Sequence, residues 1–98
     1  KIQLQEFVET YVGEHEQEFV KFFNSAQAIN TRLHQLELLP GFGRKHTQEL
    51  LNVRNEKTFE SFDEIRQRVK SAPDPKKAIE KRILEELTEN PRQRLFVM

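Results

Sequence analysis

The sequence predicts a small all-α domain of five to six short helices, and three observations lead to this prediction. Apolar residues recur at helical spacing in several separate segments of the 98-residue chain. The chain has only 3 Gly and 4 Pro, so few positions interrupt those segments. Charged residues make up 33% of the chain and hydrophobic residues 36%, which is typical of a small charged helical domain with a modest core.

Two aromatic helices are predicted within residues 1–30. Their apolar residues follow helical spacing: Phe7, Val8, Tyr11, Val12, Phe19, Val20, Phe22 and Phe23. Gly13 lies between the two groups and is expected to separate the helices, the second of which ends near Asn24. The polar residues 25–30 form a short connection to the rest of the chain.

A helix, a tight turn and a second helix are predicted next. Thr31 is a suitable N-cap for a helix through Leu33, Leu36 and Leu39. Pro40 ends that helix because it lacks an N–H and its ring clashes with the preceding turn. The following helix runs from about residue 44 to about residue 54. Its inward residues are expected to be Leu50, Leu51 and Val53.

Two further helices complete residues 31–90. Ser61 and Glu64 form a capping-box pattern that starts a helix containing Phe62, Ile65 and Val69. Asp74 is expected to cap the last helix, with Pro75 at its first position and Asn90-Pro91 after its end. The predicted core of the two helix pairs consists of Leu36, Leu39, Leu50, Leu51, Phe62, Ile65, Val69, Ile79, Ile83, Leu84 and Leu87.

The carboxy-terminal residues 91–98 differ from the rest of the chain. Leu95-Phe96-Val97-Met98 is a short apolar run without helical partner positions. One interpretation is a strand that belongs to a sheet of an absent domain, because one strand alone buries little apolar surface. The other interpretation is a disordered tail, because chain ends are often poorly ordered.

The turn Pro40-Gly41-Phe42-Gly43 is followed at once by two cations, Arg44 and Lys45. Gly41 and Gly43 can adopt positive φ and place no Cβ in the path of a ligand. The helix that follows begins with unpaired N–H groups and the positive end of its dipole, which suits a phosphate. This pattern predicts a helix-hairpin-helix element that binds nucleic-acid backbones without sequence specificity. The predicted binding residues of this hairpin are Leu39, Gly41, Phe42, Gly43, Arg44, Lys45 and His46.

Two of these side chains have alternative interpretations. Phe42 either packs beneath the turn or contacts a sugar or base, and packing is favoured because stacking platforms usually contain several aromatic residues. His46 either donates a hydrogen bond to a phosphate or is simply exposed.

A second turn, from Ser71 to Lys77, contains no glycine. If Asp74 caps the helix that follows, its carboxylate occupies the amides that a phosphate needs and repels the phosphate. We therefore expect this turn to serve packing, with Lys76 and Lys77 contributing charge to nucleic-acid binding. The predicted fold is thus a tandem helix-hairpin-helix domain with a degenerate second hairpin, preceded by the aromatic helices.

Several segments resemble an archaeal family of uncharacterised proteins: Phe22 to Gln27, Thr31 to His34, Glu37 to Gly41 and Pro73 to Lys77. Members of that family pair an OB-type β-barrel with a domain of tandem hairpins and are predicted to bind RNA. The resemblance implies RNA rather than DNA as the partner, and an OB-type domain in the same chain. In related hairpins the carbonyl groups of the turn hold a monovalent cation, and no other cofactor is expected.

Composition limits the other function classes. The formal net charge is +0, but residues 1–21 are acidic and residues 66–82 are basic, so the chain is electrically polarised. There is no Cys, no nucleophile or phosphate-loop motif, and no pair of His at metal-binding helical spacing, so we expect neither an enzyme nor a metal site. No apolar run is long enough to span a membrane, and a cytoplasmic location is expected.

Two functions therefore follow as hypotheses. The first is binding of nucleic-acid backbone, with RNA favoured over DNA. The alternative is a protein-interaction or scaffold module that docks through its acidic aromatic helices. Salt separates them, because phosphate binding weakens steeply as salt rises and apolar docking does not.

Overall fold

The computed structural model describes residues 3–89 and 91–97, and these residues form five α-helices and one short 3-10 helix. The helices are α1 (Leu4–Glu14), α2 (Glu16–Ser25), the 3-10 helix (Gln35–Leu38), α3 (Arg44–Glu56), α4 (Phe62–Arg68) and α5 (Pro75–Thr88). The prediction of an all-α domain is confirmed.

The break between α1 and α2 lies at His15, so the prediction that Gly13 separates these helices is wrong. His15 has non-helical φ and ψ of −115° and 32°, and its backbone N–H donates to the carbonyl oxygens of Tyr11 and Val12. The ring atom Nδ1 of His15 also lies 2.8 Å from the carbonyl oxygen of Tyr11. A single glycine costs a helix about 1 kcal/mol, and burial of Val8 and Val12 on the same helix offsets that cost.

The predicted helix from Thr31 is also wrong, since residues 26–34 form a loop and only Gln35–Leu38 is helical. An antiparallel bridge joins Ala28 and His34, and this bonding places Thr31 near the tip of the loop. His34 takes the capping role instead, because its Nδ1 accepts a hydrogen bond of 3.1 Å from the backbone N–H of Leu36.

The core lies between α5 and the two helices that pack on it, α1 and α4. The predicted core is largely confirmed. The structure adds to it five buried residues of the amino-terminal helices: Val8, Val12, Phe19, Val20 and Phe23. Leu51 and Leu84 are half-buried, and Leu87 is 46% exposed, so its assignment to the core is wrong. The fully buried members of the predicted set are Leu36, Leu39, Leu50, Phe62, Ile65, Val69, Ile79 and Ile83.

Residues 95–97 dock against the helices and form no strand within the described part of the chain. The interpretation of residues 91–98 as a tail or as a strand of an absent domain remains a prediction. The Glu86 carboxylate accepts hydrogen bonds from the backbone N–H groups of Leu95, Phe96 and Val97 at 2.6, 2.9 and 2.8 Å. A side chain of α5 thus supplies the acceptors that a neighbouring strand would supply. Met98, and Asn90 of the predicted helix stop, lie outside the described residues.

Burial of the Glu86 carboxylate acts to raise its pKa, but the three backbone N–H groups and the Arg82 guanidinium together outweigh burial and hold that pKa below its usual value. The carboxylate is therefore ionised at neutral pH and anchors the end of the chain to α5. The Phe96 ring lies edge-on to the rings of Phe19 and Phe22, with centroids 5.4 and 5.0 Å away.

Candidate functional site

The turn before α3 has a backbone that only glycine accepts at one position. Gly41 has φ of +86°, and a Cβ built on it would lie 2.9 Å from Cγ of Pro73. The backbone N–H of Phe42 donates to the carbonyl oxygen of Leu39 at 3.0 Å and closes the turn. The Gly41–Pro73 contact brings the turn before α3 against the turn before α5, so the two predicted hairpin turns are neighbours.

Gly43 occupies the N-cap position of α3 for a different reason. Its φ and ψ of −87° and −171° are extended values that other residues adopt, and nothing among the described residues lies within 4 Å of a Cβ built there. Neither backbone strain nor packing therefore requires glycine at this position. Its consequence is that the N-cap residue offers no side chain to cap the first amides of α3.

The start of α3 differs from the other helix starts within the described ranges. It alone has neither a side-chain cap nor an acidic residue in its first turn. Arg44 and Lys45 are exposed there, and neither forms an ion pair within residues 3–89 and 91–97. Open backbone N–H groups and two unpaired cations make this helix start electrostatically suited to an anion.

The side chains of two predicted binding residues, Leu39 and Phe42, are buried beneath the turn. Leu39 is 1% exposed and Phe42 is 3% exposed. The Phe42 ring lies 6.1 Å from the Phe23 ring and 6.4 Å from the His46 ring, measured between centroids. The Phe42 ring is packed beneath the turn, which agrees with the favoured interpretation, and its assignment to nucleic-acid binding remains a prediction.

His46 and Thr47 carry buried polar atoms at the same helix start. Nδ1 of His46 and Oγ1 of Thr47 have no hydrogen-bond partner among the described residues. His46 is half-buried beside Phe42, so the interpretation of His46 as simply exposed is wrong. Its assignment to phosphate binding remains a prediction.

The second turn is closed, meaning that a side chain caps the first amides of the helix that follows it, as the sequence predicted. Asp74 Oδ1 accepts hydrogen bonds from the backbone N–H groups of Lys76 and Lys77 at 2.9 and 3.3 Å. The Lys76 ammonium pairs with the Glu80 carboxylate and lies 3.5 Å from the carbonyl oxygen of Glu9 on α1. Lys76 is therefore engaged in packing α1 on α5, whereas Lys77 is exposed.

Much of the basic segment 66–82 is neutralised inside the domain. Arg66 pairs with Asp63 and Asp74, and Arg68 pairs with Glu64 while lying 4.7 Å above the centroid of the Phe59 ring. The cations of this segment that are exposed and form no ion pair within the described ranges are Lys70, Lys77 and Lys81.

Arg82 was also counted in that basic segment, but it is only 7% exposed. Its guanidinium donates to the Glu86 carboxylate at 2.9 Å. The charge count of the sequence therefore overstates the basic surface, because it does not tell which cations have partners.

A polar cleft lies beside the start of α3, and the sequence did not indicate it. The loop 28–34 stands next to α3 and encloses a space of about 200 Å³. Asn30 and Thr31 near the loop tip are ordinary turn residues, so the sequence offered no signal that they face another element.

An apolar groove of about 570 Å³ lies on another part of the surface, between α1, α2, α5 and residues 95–97. Phe7 and Tyr11 of α1 and Leu87 of α5 line it, with 57%, 42% and 46% of their surfaces exposed. Docking through the amino-terminal aromatic helices is one of the two hypotheses from the sequence, and two of their aromatic side chains, Phe7 and Tyr11, line this groove.

Residues 3–89 and 91–97 contain no group of three or more His, Asp or Glu side chains placed to hold a metal ion. No helix in these ranges has the length and apolar character that crossing a membrane requires.

The fold and this helix start define a small helical domain in which a glycine turn leaves one helix amino terminus open. The chain belongs to the DUF655 family, described as a protein of unknown function, whose family model matches residues 1–98. The sequence-based assignment to an uncharacterised archaeal family is confirmed.

Two archaeal proteins are similar to this chain in sequence. The chain is 38% identical over 82 residues to an uncharacterized protein of Methanocaldococcus jannaschii, covering 84% of this chain and 37% of the relative. It is similar to a DUF655 protein of Archaeoglobus fulgidus with a crystal structure, at 40% identity and a TM-score of 0.88, covering 97% of this chain and 53% of that one. The chain therefore spans 37% and 53% of the lengths of these two relatives.

Proposed function

We propose that this domain binds the backbone of nucleic acid without sequence specificity, at the open start of α3. The observation that carries the proposal is the combination of an uncapped first turn, no acidic residue in that turn, and two cations without an ion pair among the described residues. A phosphate oxygen accepts hydrogen bonds from the first amides of α3, while Arg44 and Lys45 offset its charge. RNA is favoured over DNA on the family resemblance.

The two glycines have separate roles in this proposal. Gly41 makes the turn possible, because its positive φ and its contact with Pro73 exclude a side chain. Gly43 keeps the amides accessible, because any capping side chain there would compete with the phosphate. Gly43 is therefore the position at which binding can be changed without disturbing the fold.

The test is substitution of Gly43 by Asp, with Gly43→Asn as the matched control. Both side chains cap the start of α3, but only Asp adds a negative charge. We expect Gly43→Asp to lower affinity for a short RNA by at least tenfold, Gly43→Asn to lower it less, and both variants to melt at or above the wild-type temperature. Fluorescence anisotropy at two salt concentrations measures affinity, and circular dichroism measures stability.

Unchanged affinity in a folded Gly43→Asp variant would contradict the proposal. The wild-type affinity should also fall as salt rises, since cations that neutralise phosphates release counterions. Affinity that does not depend on salt would point to apolar docking instead.

We propose docking of another domain of the same polypeptide as a second candidate function, and the apolar groove favours it. α1 and residues 95–97 line the groove near the two ends of the matched region, and both relatives continue beyond that region. A covering domain would bury Phe7, Tyr11 and Leu87, as an OB-type domain would under the family resemblance. Both functions can operate in one chain, because the groove and the α3 start have different lining residues.

Hydrogen exchange tests the second candidate by comparing this domain with the longest polypeptide that contains it. Covering of the groove should slow exchange at the amides of residues 95–97 in the longer polypeptide, with little dependence on salt. The amides at the start of α3 serve as the internal control and should exchange equally in both. Equal exchange at residues 95–97 would contradict docking in the groove.

A further inference from the structure

The polar cleft beside the start of α3 has a fixed wall. Backbone N–H groups of Ile29 and Asn30 donate to the carbonyl oxygen of Leu33 at 2.8 and 3.1 Å, so the loop is held by its own hydrogen bonds. The Arg44 guanidinium lies 3.5 Å from the carbonyl oxygen of Arg32 and connects the loop to the first turn of α3. The cleft is lined by Ala28, Asn30, Thr31, Arg32, Leu33, His34, Glu37, Arg44, Thr47, Gln48 and Leu51.

The lining combines groups that suit a nucleotide. Arg32 and Arg44 bring two guanidinium groups, which stack on bases and bind phosphates. Gln48 donates through Nε2 to Asn52 at 3.2 Å, which leaves its side-chain oxygen as an acceptor. Leu33 and Leu51 add apolar surface on which a ring can lie.

A second observation at this helix start also points to a ligand. Thr47 lines the cleft and is 3% exposed, and its hydroxyl has no hydrogen-bond partner among the described residues. Buried hydroxyl groups are nearly always paired, and an unpaired one needs an explanation. A polar ligand in the cleft would lie beside Thr47, the residue whose hydroxyl lacks this partner.

We propose that this cleft receives one unpaired nucleotide next to the phosphate bound at the start of α3, so that the domain prefers single strands over duplexes. This inference rests on the proposed function, because Arg44 belongs to both sites. A space of about 200 Å³ equals the volume of roughly six to seven waters at about 30 Å³ each. This space is of the size of one base or one sugar and is smaller than a base pair. A base within a duplex is stacked and paired, and reaches such a cleft only after flipping, which costs a few kcal/mol.

The test blocks the cleft while leaving the start of α3 open. Gln48 lines the cleft, and Gln48→Tyr places a bulky neutral side chain at its edge. The matched control is Asn55→Tyr, two turns further along α3 at an exposed position that does not line the cleft. Fluorescence anisotropy at one fixed salt concentration measures binding to single-stranded RNA, single-stranded DNA and the corresponding duplexes.

We expect the wild-type domain to bind single strands more tightly than duplexes, and Gln48→Tyr to reduce single-strand affinity about tenfold, as loss of one base contact does. Duplex affinity should stay within twofold, and Asn55→Tyr should change neither affinity. A chemical-shift titration with adenosine monophosphate and uridine monophosphate should move the amide signals of Arg32 and Gln48. A preference for RNA or for DNA strands is compatible with the inference and identifies the sugar that the cleft accepts.

The two proposals fail in different ways. If wild-type affinity is equal for single strands and duplexes, or if Gln48→Tyr leaves single-strand affinity unchanged, the cleft inference is overturned and backbone binding at α3 stands. If Gly43→Asp also leaves every affinity unchanged, backbone binding at α3 is overturned as well. If the wild-type domain binds no nucleic acid at low salt, both proposals are overturned.

Discussion

The turns before α3 and α5 touch each other through Gly41 and Pro73, yet they leave their helices in opposite states. The turn before α5 is closed, because the Asp74 side chain accepts from the amides of Lys76 and Lys77. The turn before α3 is open, because Gly43 has no side chain to offer. Two adjacent helix starts in one small domain thus differ by one carboxylate, and that difference decides which of them is available to an anion.

The largest expected effect concerns Gly41, on which the contact between the two turns depends. Gly41→Val introduces a β-branched residue at a φ of +86° and a Cβ that would lie 2.9 Å from Pro73. Backbone strain of this kind costs about 1–3 kcal/mol, and the clash adds to it. We expect a clear fall in the free energy of unfolding, measured by urea denaturation. Gly43→Val is the control and should change stability by less than about 1 kcal/mol.

A smaller effect is expected from removing the carboxylate that closes the second turn. Asp74→Ala removes the cap of α5 and the partner of Arg66, whose Nη1 lies 3.1 Å from Asp74 Oδ2. Loss of such a cap costs about 1 kcal/mol of stability. Because the change also removes a negative charge beside the open turn, nucleic-acid affinity should rise several-fold. A variant that loses stability without gaining affinity would show that the two helix starts do not share one electrostatic surface.

The two lysines at the start of α5 test the comparison further. Lys77 is exposed, whereas Lys76 pairs with Glu80 and contacts α1. Lys77→Ala should weaken nucleic-acid binding modestly and reduce the dependence of log affinity on log salt by up to about 1. Lys76→Ala should leave that slope unchanged and lower the melting temperature instead. A reversed pattern would mean that Lys76 leaves its intramolecular pair when nucleic acid binds.

The smallest expected effect is a dependence of stability on pH through His34, the cap of the 3-10 helix before the open turn. Burial and, secondarily, the charge of Arg54 hold the pKa of His34 below its usual value of 6.5, against the opposing effect of Glu37. Below pH 6.5 the unfolded chain therefore binds a proton that the folded chain does not, and stability falls as pH decreases until the folded pKa is reached. His34→Asn should retain the cap and flatten stability between pH 7 and pH 5, relative to the wild type, in thermal melts.

Local sequence rules predicted the closed turn better than the chain around the open one. Asp74, Pro75 and the Ser61 cap of α4 behave as predicted, because a cap depends on residues three or fewer positions apart. The helix predicted from Thr31 failed, because the bridge between Ala28 and His34 overrides the preference of Thr for a cap position. The break predicted at Gly13 failed because helix packing outweighs the cost of one glycine.

The sequence by itself determined the all-α class, the glycine turn and the capping of α4 and α5. Each of these follows from helical spacing or from residue types within one or two turns of each other. The tertiary structure alone decided which cations are free, that Leu87 faces a groove, and that loop 28–34 encloses a cleft beside α3. These properties depend on contacts between residues distant in the sequence, such as Lys76 with Glu9 or Glu86 with Leu95, and local patterns do not encode such contacts.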